Sequence, residues 1–106
     1  MKDKIEAMAR LDGYVFVTDD PKRENYWVCP DGKMVGAGFR PFPNYLDPVE
    51  GHGHIQRIID GLGFPLGLAY YNALIGVCSR DDTDVWNASC EQKVEAVLRA
   101  KGAWDD

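Results

Sequence analysis

Tyr26-Trp27-Val28-Cys29-Pro30-Asp31-Gly32-Lys33-Met34-Val35, residues 26–35, reads as a β-hairpin. Aromatic and β-branched residues flank Cys29-Pro30-Asp31-Gly32, which has tight-turn chemistry: Pro pre-sets φ, Asp bonds its own backbone and Gly accepts positive φ. Upstream, Tyr14-Val15-Phe16-Val17-Thr18 has the same strand composition, and a polar turn over residues 19–23 joins it to the hairpin. The three segments predict an antiparallel meander. Strand alternation puts Tyr26 and Val28 on one face, Trp27 and Cys29 on the other.

Helical periodicity flanks the meander on both sides. Residues 2–12 carry Ile5, Met8 and Leu11 on one face, with Gly13 placed to stop the helix. Asp47-Pro48-Val49-Glu50 reads as a helix start: Asp47 as N-cap, Pro48 at the first helical position and Glu50 closing a reciprocal capping box. That helix is expected to run to about Leu62 behind an apolar stripe of Ile55, Ile58, Ile59 and Leu62. Residues 64–77 fit a helix after Pro65, with a strand at 74–77 as the competitor. Residues 80–84 read as a solvated acidic loop and Val85-Trp86-Asn87 as a short edge strand. Ser89 with Gln92 caps a last helix that ends at Gly102. Glycines and prolines make residues 36–46 irregular, with Phe39, Phe42 and Tyr45 as apolar anchors. The fold class is therefore α+β: a short antiparallel sheet of three to four strands packed with three to four helices in a layered sandwich, one domain over residues 1–106.

Composition bounds the function. The chain has 106 residues, 45% hydrophobic and 27% charged, which is the balance of one globular domain. Its net charge of −5 argues against duplex nucleic acid as a partner, since backbone binding needs surplus Lys and Arg. No apolar run reaches the ~20 residues that span a bilayer, and the first residues lack the apolar stretch of a signal peptide. Three scattered cysteines, Cys29, Cys78 and Cys90, read as reduced thiols in a cytosol.

Several pieces in order resemble the phage ABA sandwich domain, a family of small phage and prophage proteins. They are Ala9-Arg10-Leu11-Asp12-Gly13-Tyr14, then Cys29-Pro30-Asp31-Gly32, then Pro43-Asn44-Tyr45-Leu46-Asp47, and finally residues 95–104. The similarity spans about residues 5–104 and departs at Pro48 and at Gly51-His52-Gly53-His54. It implies a layered α+β domain in the cytoplasm of a bacterial host, and it supplies no catalytic residues.

The chemistry-bearing positions cluster near the middle helix. His52 and His54 point about 200° apart on a helix, so they do not chelate one metal as an i, i+4 pair does. No cofactor motif, nucleophile signature or metal spacing is present. Gly51 and Gly53 weaken a helix by ~1 kcal/mol each relative to Ala, and the close approach of a ligand or of a second backbone explains keeping them. Arg40, Phe42, Tyr45, His52, His54 and Arg57 form the candidate binding surface, a local positive patch suited to a phosphate-bearing ligand. The expected role is a non-enzymatic binder that sequesters a small anionic, nucleotide-like immune signal, with the site between protomers of a homodimer or higher homo-oligomer. The alternatives are a phage accessory protein that binds and inhibits a host protein, and a small hydrolase with His52 or His54 as base.

Overall fold

A computed structural model describes residues 3–36 and 38–104 of the chain. Lys2, with which the first helix was expected to begin, and Ala37 of the irregular segment lie outside them. The element order is α1 (Lys4–Leu11), β1 (Val15–Val17), β2 (Tyr26–Val28), β3 (Met34–Gly36), α2 (Gly51–Asp60), α3 (Leu66–Arg80), a single 3-10 turn (Val85–Asn87) and α4 (Cys90–Ala100). This is the α+β class read from the sequence. The meander is antiparallel throughout, β1 with β2 and β2 with β3. The Cys29–Gly32 turn closes it as its chemistry requires: Gly32 N–H donates to the Cys29 carbonyl and Gly32 takes φ of +92°.

Register decides which face is covered. Phe16, Trp27 and Val35 are cross-strand partners and share a face. That face turns inward: Trp27 is buried, its ring 4.8 Å from Phe16 and 5.1 Å from Phe42, with the Arg10 guanidinium of α1 over it at 5.4 Å. Val15, Val28 and Met34 align on the outer face, where Val15 and Met34 are more than half exposed.

The four helices pack mainly on one another, with α4 at the centre. Seven of its residues are buried, among them Val94, Val97 and Leu98, because each of α1, α2 and α3 covers part of its surface. Its start is the expected capping box: Ser89 Oγ accepts from Gln92 N–H, and the Gln92 side chain accepts from Ser89 N–H at 2.9 Å. Among the described residues one charged residue is buried in this core. Glu95 of α4 is 6% exposed and accepts two bonds from Arg80 at the end of α3, at 2.8 and 3.0 Å, and one from Arg99 at 2.7 Å. Those guanidiniums hold the Glu95 carboxyl below its ordinary pKa against the opposing effect of burial.

Local expectations change at residues 85–87 and at the start of α2, while the helix reading after Pro65 holds. Residues 85–87 are a 3-10 turn and not an edge strand, because Asp84 accepts from Trp86 N–H and fixes a helical turn there. Residues 66–80 are helix throughout, which settles the helix-or-strand ambiguity. Regular helix in α2 begins at Gly51, three residues after Pro48. Asp47 still caps the turn leading into it, since Oδ1 accepts from Val49 N–H at 2.8 Å and Glu50 N–H at 2.9 Å. The reciprocal half of the box does not form: Asp47 N–H goes to the Asn44 carbonyl, not to Glu50. The two backbone donors also lower the Asp47 pKa. Replacing Asp47 by Ala is expected to cost about 1 kcal/mol, read as a lower urea midpoint at unchanged slope.

Candidate functional site

The six residues chosen from sequence do not form one patch. Arg40 lies against Phe42, its guanidinium 5.1 Å from the ring, and pairs with Asp3 at the start of α1. Arg57 pairs with Asp12, just past the other end of α1. Eight residues of helix, about 12 Å, separate those two ends. His52 faces α4, where Lys93 Nζ donates to its Nδ1 at 3.1 Å. Phe42 and Tyr45 are buried core residues, Tyr45 completely. Each of the two arginines therefore has a carboxylate partner, and the expected patch of paired guanidiniums is replaced by two separate ion pairs.

What the fold does bring together is a network around Asp12, a residue the sequence reading quoted only in a helix-closing motif. Tyr45 Oη donates to Asp12 Oδ2 at 2.7 Å. Arg57 grips the same carboxylate through both oxygens, Nε on Oδ1 at 3.1 Å and Nη2 on Oδ2. Arg57 Nη1 then donates to His54 Nδ1 at 3.2 Å. An arginine only donates, so His54 Nδ1 is the acceptor and Nε2 carries the ring proton. The same reasoning gives His52 an Nε2 proton, because Lys93 is also a pure donor. Burial first, and then the bond to Asp12, drive the Tyr45 phenol far above its ordinary pKa. The Asp12 bond raises the Arg57 pKa, so that guanidinium stays charged.

Asp12, Phe42, His54 and Arg57 line an open groove of about 790 Å³ between α2 and the β2–β3 turn. Tyr14, Cys29 and three prolines add apolar wall, and Lys33 and Asp31 stand at the turn. The Asp12 clamp and the His54 bond together leave two of the five Arg57 N–H donors without a partner among the described residues. Lys33 has no ion-pair partner among the described residues. The groove thus carries two cations, Arg57 and Lys33, two carboxylates, Asp12 and Asp31, and an aromatic and proline wall.

Neither histidine ring is hydrogen-bonded to a hydroxyl, thiol or carboxylate among the described residues. No three His, Cys, Asp or Glu side chains among them are grouped as metal ligands, and no helix among them is long and apolar enough to cross a membrane.

The two glycines of α2 separate on inspection. Gly51 is buried, and a Cβ there would overlap the Tyr45 carbonyl oxygen and come within 3.0 Å of Cys90 Sγ. The second backbone anticipated from sequence is thus the chain's own loop. Gly53 has open space where a Cβ would sit.

Comparison with protein-family profiles, curated proteins and solved structures returned no match.

Proposed function

We propose that this chain is a small non-enzymatic binding protein whose groove holds a compact anionic, nucleotide-like ligand and sequesters it unchanged. The observation that carries this reading is Arg57: locked on Asp12, spanning to His54, and placed on a groove with aromatic and proline walls and Lys33 nearby. Among the described residues the Cys29 thiol on the groove makes no hydrogen bond to a histidine or carboxylate, and the Tyr45 hydroxyl held by Asp12 is completely buried, which favours retention of a ligand over its conversion. The resemblance to the phage ABA sandwich family gives the role a setting, a phage protein in the host cytoplasm that removes a nucleotide immune signal, by analogy of size and family. In this reading the protein works as a homodimer or higher homo-oligomer, with closed twofold symmetry the simplest assembly.

Equilibrium dialysis against a panel of linear and cyclic nucleotides tests the proposal. Uptake by the folded protein and recovery of intact nucleotide after heat denaturation are expected. Lys33→Ala and Arg57→Ala are each expected to weaken uptake about tenfold or more, the worth of one charge-assisted bond. Recovery of an altered nucleotide overturns the non-enzymatic reading in favour of a hydrolase.

A second reading is favoured by one observation. Trp86 is 90% exposed on the 3-10 turn, and a bare tryptophan is a common anchor in protein interfaces. Absence of nucleotide uptake, with retention of a host protein that Trp86→Ala abolishes, points to an accessory factor that inhibits that protein.

A further inference from the structure

Helix α3 is apolar on both sides. Tyr70, Leu74, Val77 and Cys78 face the core. On the other side Leu68 is 53% exposed, Tyr71 50% and Ile75 43%, and Phe64, two residues before the helix, is 88% exposed. A surface helix normally carries charge on its outer face, yet residues 61–79 contain no Asp, Glu, Lys, Arg or His. The four side chains leave on the order of 400 Å² of apolar surface in water, the size at which a monomer's largest patch is often functional. That is about half of one partner's share of a standard interface.

The spacing of this face points to its occupant. Within the helix Leu68, Tyr71, Asn72 and Ile75 are arranged symmetrically about the midpoint between Tyr71 and Asn72. Two copies laid antiparallel across a twofold axis at that midpoint set Leu68 of each against Ile75 of the other. Gly67 and Gly76 fall at one level in the same arrangement, and both have open space beside them. A twofold contact requires such self-matching, in which i meets j and j meets i. Charge agrees. Two copies of a chain at net −5 repel, and this stretch brings no charge into contact. A partner chosen by charge would find nothing here to read.

We infer that the outer face of α3 is the seam of a twofold homodimer of this chain. The inference rests on the binding-protein reading only for the expectation that the protein self-associates. Sedimentation equilibrium on the unliganded protein at ~100 µM, a hundredfold above a ~1 µM dissociation constant, tests it. Twice the chain mass is expected for the wild type. Leu68→Glu and Ile75→Glu are expected to run at the single-chain mass with the wild-type helical circular dichroism spectrum. Asn72→Cys, beside the axis, is expected to give a covalent dimer on mild oxidation under conditions where the wild type gives none. A monomeric wild type overturns the inference. So does a dimer that survives both Glu variants, or an Asn72→Cys protein that stays uncrosslinked. Nucleotide dialysis on the same samples reads the groove separately, so a monomer that still takes up nucleotide removes the seam and leaves the binding-protein reading standing.

Discussion

Gly51→Ala is expected to lower the melting temperature by roughly 15 °C, while Gly53→Ala two residues later raises it. The opposite signs follow from what each added methyl group meets. At Gly51 the obstacles are the Tyr45 carbonyl oxygen, the Tyr45 carbonyl carbon at 2.9 Å and Cys90 Sγ at 3.0 Å. Two of these are backbone atoms of a loop pinned by the buried Tyr45 ring, so rotation of a side chain gives no relief. The Asp47 carbonyl ties the same corner, accepting from Gly51 N–H at 2.8 Å and from the Cys90 thiol at 3.2 Å. Overpacking against such a site costs about 3 kcal/mol, and each kcal/mol moves the midpoint of a domain this size by ~5 °C. Gly53 meets nothing, so Ala there restores the ~1 kcal/mol that a helical glycine forfeits. Calorimetric scans of the two variants against wild type decide the matter. A Gly51→Ala protein that melts with the wild type would mean the loop does not lie against α2.

Glu95→Ala is expected to cost about 2 kcal/mol at neutral pH, measured by urea unfolding. A buried pair broken by removing one partner usually costs more. Here the partners left behind, Arg80 and Arg99, are partly exposed and rehydrate, which discounts the loss. The same carboxylate gives stability a pH dependence of defined sign. Its folded pKa lies below the ordinary value, so the unfolded chain binds the proton more readily. The stabilisation is complete above the unfolded carboxylate value near ~4.3 and is lost as pH falls through the folded one. Asp81, held down by Arg80 and Gln92, and Asp47, held down by backbone N–H groups, act in the same direction. Unfolding free energy is therefore expected to fall steeply with pH below ~4.5 in the wild type and less steeply in Glu95→Gln. An unchanged slope in that variant would mean that Glu95 is not the coupled group.

Much of the fold was legible because its signals are local. The Cys29–Gly32 turn, the Ser89–Gln92 box and the Asp47 cap are each written within four residues and each appears in the structure. The misread element, residues 85–87, is also local. β-propensity at Val85-Trp86 lost to one Asp84 hydrogen bond, since propensity measures fit to a half-buried sheet surface and Trp86 has none to fit. The site was legible only in part. His54 and Arg57 share a helix face by spacing alone. The Asp12 clamp joins residues 45 apart in the chain, and no periodicity announces a contact of that range. The neutralising partners of Arg40 and Arg57 were invisible for the same reason, and so a patch of charge was expected where the fold makes two ion pairs.

The way the sheet is attached has a consequence for how the molecule opens. Over a body of 50 × 28 × 26 Å the helices hold one another, while the meander of three-residue strands is held to them by a few rings around Trp27. Strands that short have little cooperativity of their own. Opening free energy is then distributed unevenly: the amides of β1 and β3 exchange with solvent through local excursions that leave α4 closed, whereas those of α4 require the whole fold to give way. One wall of the groove is the β2–β3 turn and the other is α2. The groove thus straddles a soft unit and a hard one, and a ligand held there, as proposed, would draw the soft unit into the protected state of the hard one.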